Sequence, residues 1–404
     1  MNHVRRLISD LCPNGVPFYP LGSLLVANRG GGTPTTSKPD YWGGDIPWTS
    51  IGDMNTPGMF IETTRRSITE LGLNSSSTSL VKAGDVLVAV KISPGAMKIA
   101  SREVAINQDI RGLTLDARLK AAFLVYFFRT FSIVGDGTIV KGITNATLEK
   151  VEVPLPPLEV QDKIVSILDK FTELEAELEA ELEARKSQFA FMLDKAFDNE
   201  EIRKYGLTKL ADHGEFDRGN GLQKADFTEN GFGCIHYGQI YTKFGSHASE
   251  VYTYVPEALA SKLKKVERGN LVITTTSENI QDVCKAVAWL GAKEIVIGGH
   301  SCVYRHHLDP LFATYLFRSR MFQDQKNSYV QGTKVKDIKP AQIGKIEIYV
   351  PPMKRQIEIG KMMRNFDTLV QDVSIGLPAE IAARRKQYEY YRNKLLSFNE
   401  VVVA

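Results

Sequence analysis

An α+β chain is predicted, in which one β-rich mixed α/β domain occurs twice and each copy is followed by a long amphipathic helix. Three observations carry this reading. First, the stretch Pro154–Phe197 returns in degenerate form at Val350–Phe398, with Gln161 matched by Gln356 at an offset of 195 residues. Internal self-similarity of this kind is the strongest guide to architecture. Second, each intervening block carries strand-like apolar runs, such as Asp85–Val90 and Leu271–Thr276, set between Gly, Pro, Asn and Ser punctuation. Third, both proline-led stretches show apolar residues at helical spacing. Two such helices in one chain are expected to pair as an antiparallel coiled coil, giving a pseudo-twofold internal repeat. The expected divisions are 1–153 and 198–349 for the two blocks, and 154–197 and 350–404 for the two helical spacers.

Composition bounds the rest. The 404 residues are 43% hydrophobic and 24% charged, enough for two to four domains with their own cores. No apolar run approaches the ~20 residues of a membrane helix, and the N-terminus lacks an apolar signal region, so a cytoplasmic protein is expected. Cys12, Cys234, Cys284 and Cys302 stand far apart without a CxxC pair, which argues against a disulfide framework or structural zinc. The net charge of +3 leaves a nucleic-acid partner open, because the glutamates of the first helix offset basic faces elsewhere.

Taken in order, the repeat covers both blocks. Gly84-Asp85-Val86-Leu87-Val88 pairs with Gly269-Asn270-Leu271-Val272-Ile273 at offset 185, and Tyr126-Phe127-Phe128-Arg129 with Tyr315-Leu316-Phe317-Arg318 at offset 189. Gly137-Thr138-Ile139-Val140-Lys141 pairs with Gly332-Thr333-Lys334-Val335-Lys336 at offset 195. The slips read as loop-length differences on a common scaffold, where binding specificity tends to sit. Each block ends in a strand running into prolines, which suit a first helical turn. In the first helix Ile164, Ile167, Leu168 and Phe171 lead into Leu174, Leu178 and Leu182, then Phe189, Met192, Leu193 and Phe197. Thr172 and Glu175 have capping-box spacing, so a boundary near 169–172 and a continuous helix are both compatible with this pattern. In the second copy Gly376-Leu377-Pro378 interrupts the pattern, and Pro378 is expected to start the last helix, whose stripe includes Tyr388 and Tyr391. From Thr172 to Lys195 a helix spans roughly 36 Å, comparable with one turn of B-DNA at about 34 to 36 Å.

Several local phrases resemble one family. Pro156-Pro157-Leu158 with Gln161 and Ile164, and Pro351-Pro352-Met353 with Gln356 and Ile359, look like the P-P-L-x-x-Q-x-x-I opening of the conserved helical regions in the DNA-specificity (S) subunit of type I restriction-modification enzymes. Gly376–Ile381 with Arg384, Arg385, Lys386, Gln387 and Tyr388 resembles the same family's C-terminal helix. Ile46–Asp53, Ile235–Ile240 and Thr275–Asn279 resemble phrases of its target recognition domains. The resemblance spans the full chain. It implies a non-catalytic protein that reads a bipartite, asymmetric double-stranded DNA target, one domain per half. Its helices would set the spacer and dock two methyltransferase (modification) subunits, with restriction subunits joining the complex. S-adenosylmethionine, ATP and magnesium would then belong to the partners. The chain has no N-P-P-[FY] or D-P-P-Y motif and no GxxxxGK[ST] loop. The alternative from another class is a coiled-coil scaffold with two protein-binding domains.

Base reading needs Arg or Lys for guanine, Asn or Gln for adenine and hydroxyls or amides for the rest, while phosphates take Lys, Arg and backbone N–H groups. Two glycine-rich loops led by arginine, Arg29 to Thr33 (with Gly31) and Arg218 to Gly221 (with Asn220), fit either a phosphate approach or a tight turn with a solvated Arg. Trp48, Thr49 and Asp53, and His236, Tyr237 and Gln239, follow a strand; groove contact and, for Trp48 and Tyr237, core packing are both open. Lys91 and Ser93 in one block and Thr275, Thr276, Ser277 and Asn279 in the other follow the shared strand with different polar chemistry, as different base readout requires. Lys141, Lys334 and Lys336 sit in matched phrases and suit phosphate contact more than base reading, with a solvated loop the alternative. Gln161, Ile164, Leu174, Leu178, Leu182, Phe189, Gln356, Ile359, Tyr388 and Tyr391 are the candidates for helix pairing or partner docking. His306 and His307 beside Cys302 lack a second ligand pair, so no metal is expected. The glutamates of Glu173–Glu183 read as a solvated helix face, or as partners for Arg384, Arg385, Lys386, Arg392 and Lys394 across the coil.

Overall fold

The computed structural model describes residues 6, 10–133, 142–371 and 376–401; Gly137, Thr138 and Lys141 therefore lie outside the described residues. The chain divides into two compact units, Met1–Glu175 with Arg384–Ala404, and Ala176–Ala383. The first spacer helix contributes Ile164 and Leu168 to the core of the first unit and Phe189 and Phe197 to that of the second, and the second spacer contributes Ile359 and Met363 to the second unit and Leu395 to the first.

In the first unit the strands are β1 (Phe18–Pro20), β2 (Leu25–Gly30), β3 (Trp42–Thr49), β4 (Phe60–Ile61), β5 (Arg66–Ile68), β6 (Ser79–Val81), β7 (Val86–Ala89), β8 (Met97–Ala100), β9 (Val104–Ile106), β10 (Ile110–Leu115) and β11 (Glu152–Pro154). They form a five-stranded sheet β2-β10-β7-β8-β4, a four-stranded sheet β5-β3-β9-β6 and the pair β1-β11. Every residue of β7 is buried, because this β-branched and aliphatic run lies inside its sheet with both faces covered. One face meets the all-apolar helix Ala121–Phe128, whose Phe123 and Leu124 share a core with Val86, Val88, Ile99 and Leu113.

The second unit contains β12 (Leu207–Lys209), β13 (Gly214–Arg218), β14 (Phe232–Ile235), β15 (His247–Ala248), β16 (Thr253–Val255), β17 (Lys264–Val266), β18 (Leu271–Thr274), β19 (Thr276–Ser277), β20 (Ala286–Trp289), β21 (Ile295–Ile297), β22 (Ser301–His306), β23 (Lys336–Asp337) and β24 (Glu347–Tyr349). Its sheets run β13-β22-β18-β20-β15, β16-β14-β21-β17 and β12-β24, the order of the first unit strand for strand. The β19–β23 pair, with Thr276 opposite Asp337, has its counterpart in the bridge between Lys91 and Gly142. The step in offset from 185 to 189 therefore falls in one loop, 90–96 between β7 and β8 against 275–285 between β18 and β20.

The helix Leu158–Phe197 is continuous over 40 residues, about 60 Å at 1.5 Å per residue. Thr172 does not cap a new helix; its hydroxyl donates to the Leu168 carbonyl at 2.8 Å, the back-bond of a residue inside a helix. The second copy is interrupted where Gly376-Leu377-Pro378 predicts a break. It comprises Met353–Gln371 and Leu377–Leu395, with Pro378 in the first turn of the latter, where its missing N–H costs nothing.

Within the first unit the helix pairing is antiparallel. The Phe171 ring lies 6.4 Å from Tyr388 and 5.5 Å from Tyr391, and Glu175, one turn later, meets Arg385, one turn earlier, at 2.5 Å. Leu174 is 47% exposed and stands off this contact, contrary to its assignment to the pairing stripe. Leucines every four residues drift around a helix of 3.6 residues per turn, so Leu174, Leu178 and Leu182 do not form one straight stripe. Leu178 and Leu182 are half-buried.

Gln161 and Gln356, read as docking residues, are buried clamps. Gln161 accepts from the Lys120 N–H and donates to the carbonyls of Arg118 and Pro156, each at 2.8 Å. Gln356 accepts from the Asp309 N–H at 2.9 Å and donates to the Pro351 carbonyl at 2.8 Å. Each amide ties the start of a spacer helix to the N-cap of the buried helix of its own block, Ala121–Phe128 or Pro310–Leu316. Ile164 and Ile359 are core residues beside them, and Phe189 packs on Tyr315 and Arg318 inside the second unit. The far ends of the helices match too: Phe197 lies 5.0 Å from Phe312, and Phe398 lies 6.3 Å from Phe123.

Candidate nucleic-acid interface

In each unit two strands run parallel, β3 with β9 and β14 with β21, and their carboxyl ends open at the same edge. A short helix starts there in both. Ser50 caps Ile51–Met54, and the Asp53 carboxylate accepts from the Ser50 N–H at 2.8 Å and the Ser50 hydroxyl at 2.7 Å. His236 caps Tyr237–Thr242, with its N–H donating to Gln239 Oε1 at 3.0 Å and its Nδ1 accepting from the Gly238 N–H at 3.2 Å. These reciprocal bonds satisfy amides that a helix start leaves unpaired. Asp53, His236 and Gln239 are therefore cap residues. Burial alone would raise the Asp53 carboxyl, but bonds from Ser50 and Arg65 outweigh it and hold the group below the usual carboxylate range. Burial, with Lys224 and His300 nearby, lowers the His236 imidazole. Trp48 is 6% exposed, donates its indole N–H to the Gly32 carbonyl at 3.1 Å and packs edge-on against Trp42. Thr49 is fully buried. Both side chains are interior: the carboxyl end of β3 is its buried part, while Gly43 and Asp45 near its start are exposed.

Several candidates gather around the turn after the second parallel strand, Thr33, Lys91 and Arg218 exposed, Tyr237 half-buried and Thr276 buried. In the first unit this turn is Asn107-Gln108-Asp109: Asn107 donates its N–H to the Thr49 carbonyl at 3.0 Å, Thr33 hydrogen-bonds Gln108, and Lys91 pairs with Asp109 at 3.1 Å. In the second it is Gly298-Gly299-His300. Arg218 donates Nε–H to the Gly299 carbonyl at 3.2 Å and pairs with Asp337, His300 Nδ1 lies 3.0 Å from the Thr276 hydroxyl, and the Tyr237 ring is 4.7 Å from His300. Thr33 and Lys91, and Arg218, Tyr237 and Thr276, are thus brought together across long stretches of chain. Gln108, Asp109 and His300 were not singled out from sequence. The polar break between two apolar runs, at matched places in both blocks, is the signal that marks them.

The arginine-led loops need correction. Arg29 and Arg218 lie on strands, β2 and β13, and Arg29 is held by Thr114 at 2.8 Å and Asp85 at 3.6 Å. The glycines after them approach the protein's own backbone and not a phosphate: a Cβ on Gly31 would lie 2.1 Å from the Asn107 carbonyl oxygen, and one on Gly219 2.2 Å from that of Gly298. Asn220 donates to the Lys262 carbonyl at 3.0 Å.

The loops after the shared strand differ as their chemistry implies. Ser93 is half-buried in a short loop whose Ile92 has φ +68° and is exposed. In the second unit Thr275 is fully buried and Thr276 nearly so, while Ser277 pairs with Lys336 across β19–β23. Asn279 is exposed and bonded to Asp282 at 2.7 Å. The buried Lys326 anchors this loop by donating to the carbonyls of Ile280 at 2.7 Å and Val283 at 3.2 Å. Lys334 is exposed, and Lys336 donates to the Gly332 carbonyl at 2.9 Å.

Residues 13–184 and 204–383 each match the type I restriction modification DNA specificity domain. The chain belongs to this family. Among its relatives, the type I restriction enzyme MjaIX specificity subunit of Methanocaldococcus jannaschii is 31% identical over 152 residues, covering 36% of this chain and 35% of that protein. The EcoR124I/EcoR124II specificity subunit of Escherichia coli is 29% identical over 263 residues, covering 63% of this chain and 65% of the relative. The matched segments thus span about one to two thirds of these curated relatives. The crystal structure of a type I restriction-modification system S subunit from M. genitalium shares the fold, with a TM-score of 0.53 at 15% identity over 95% of this chain and 97% of that one. The two family domains coincide with the repeated strand order, so the interface just described occurs once in each. Among the described residues no three His, Cys, Asp or Glu side chains are grouped to hold a metal, and no helix is long and apolar enough to cross a membrane.

Proposed function

We propose that the chain is a non-catalytic, sequence-specific DNA-binding subunit that reads a bipartite, asymmetric double-stranded target, one unit for each half. The observation that carries this reading is the use of one scaffold twice with different outward chemistry at matched places. Thr33, Gln108 and Lys91 present one set of groups; Arg218, Tyr237 and His300 present the other, with the buried Thr276 hydroxyl holding His300. Hydroxyls, amides and cations of this kind read base edges and hold phosphates. Two methyltransferase subunits dock on the helical segments, whose exposed Leu158, Leu174, Phe191 and Met353 offer apolar surface for a partner. Restriction subunits complete the assembly, S-adenosylmethionine, ATP and magnesium reside in those partners, and the complex acts in the cytoplasm.

The test is to co-express the full chain with its methyltransferase subunits and sequence the modified sites. A split recognition sequence is expected, and replacing Ser277, Glu278 and Asn279 is expected to alter one half alone. Equal loss in both halves would contradict the assignment of one unit per half. DNA binding that weakens steeply with added salt separates this reading from a protein scaffold, which releases no counterions from DNA.

A further inference from the structure

We infer that Arg65 is a specificity-determining residue of the first unit, reading a guanine in its half-site. This rests on the proposed function and names one base contact within it. Arg65 has a side chain 66% exposed, yet its guanidinium is fixed from beneath by groups that are not. The Asp53 carboxylate, 2% exposed, accepts from the Arg65 backbone N–H at 3.0 Å and from its Nε–H at 3.2 Å, and the Ser50 hydroxyl accepts from Nη2 at 3.1 Å. The guanidinium lies directly over the backbone of Gly52, where a Cβ would stand 1.4 Å from Nη2.

A solvated arginine needs none of this, since water satisfies its donors without ordering its flexible stem. Burying a carboxylate is costly unless it is paired, and here the pairing holds an exposed cation in one orientation. With Nε and one Nη2 hydrogen occupied, both hydrogens of Nη1 and the second of Nη2 have no partner among the described residues, which leaves one edge of the planar guanidinium available as a fork. Such a fork matches guanine O6 and N7 in the major groove. The site lies at the carboxyl end of β3, where the Thr49 carbonyl joins the Asn107–Asp109 turn.

The second unit keeps the scaffold and changes the reader. Arg66 pairs with Trp48 across β3–β5, and Thr253 pairs with Cys234 across β14–β16, so the residue before each, Arg65 or Tyr252, occupies the same place. The cap below is Gln239 instead of Asp53, and it bonds Thr253 at 3.2 Å. Tyr252 is 58% exposed. A cationic fork in one unit and a phenol in the other is what two different half-sites require.

The test uses the full chain with its methyltransferase subunits in a host lacking this modification, comparing modified-site sequences for wild type, Arg65→Ala, Arg65→Lys and Gly52→Ala. Arg65→Lys keeps the charge but not the fork, and Gly52→Ala keeps the arginine but displaces it. In all three, one G·C position in one half-site is expected to lose roughly ten- to hundredfold discrimination, with the other half-site unchanged. Unaltered preference in Arg65→Ala and Arg65→Lys would overturn the inference while leaving the proposed function standing. So would uniform weakening across all sequences with a shallower salt dependence, the signature of a phosphate contact. Absence of any split modified site in the wild type would overturn the proposed function and this inference with it.

Discussion

Replacing Gln161 by alanine is expected to loosen the first block from its spacer helix. The side chain is completely buried and makes three bonds of 2.8 Å, one accepted from the Lys120 N–H and two donated to the Arg118 and Pro156 carbonyls. Truncation strands these three backbone groups, and a buried polar group left without its partner costs about 1–3 kcal/mol. Water entering the space left by the amide recovers part of this, so a net loss of about 3 kcal/mol is expected. Gln356→Ala removes two bonds in the other unit and is expected to cost about 2 kcal/mol. Gln161→Glu preserves shape but sets an acceptor against two carbonyls, and is expected to destabilise at least as much at neutral pH. Because two units need not unfold together, the informative assay is native-state hydrogen exchange resolved along the chain. In Gln161→Ala, amides of Ala121–Phe128 should exchange roughly a hundredfold faster, with those of Pro310–Leu316 unaffected. A change below about 0.5 kcal/mol, or equal acceleration in both helices, would refute the view of this glutamine as a local clamp.

Other consequences follow from the same geometry. Gly31→Ala and Gly219→Ala force a methyl group against a carbonyl oxygen in equivalent places and should each cost about 2–3 kcal/mol, whereas Gly245→Ala, with open space around it, should be near neutral in thermal unfolding. His306 is held down to about 4 by burial, below its ordinary 6.5, so the unfolded chain binds its proton first as pH falls. The second unit should therefore keep its full stability above pH 6.5 and lose up to roughly 3 kcal/mol between pH 6.5 and 4. Denaturation of His306→Gln over that range should show a flatter profile, and an unchanged profile would reject the assignment. Removing four residues within Leu174–Ala184 shortens the long helix by about 6 Å. Modified-site sequencing should then show both half-sites intact with an altered spacer; an unchanged spacer would show that this helix does not set it.

The two-fold repetition was legible in residues alone because it is written in local chemistry. Prolines before a helix, a glutamine one turn in, and apolar runs broken by glycine are constraints a short segment imposes on itself. The loop-length steps were legible for the same reason, and the structure places the step from 185 to 189 in the one loop that differs after β7 and β18. What the glutamine does was not legible: its amide faces backbone groups some forty residues away, and nothing near Gln161 in sequence names Lys120 or Arg118. The same holds at the candidate interface. Asp53 resembled a ligand-facing carboxylate and is a cap, while Arg65, twelve residues on, is the cation it orients. Trp48 and Thr49 sit in the phrase that drew attention to the loop but point into the core.

Sequence by itself determined the repeat, the helical spacers and the kind of polar chemistry available, since these depend on periodicity and on the conformations each residue allows. Only the tertiary structure decided which polar groups face outward and which are spent on caps, clamps and close crossings. That choice depends on contacts between residues distant in the chain, and hydrogen-bonding groups look alike in sequence whether their partner is a nearby backbone or a ligand.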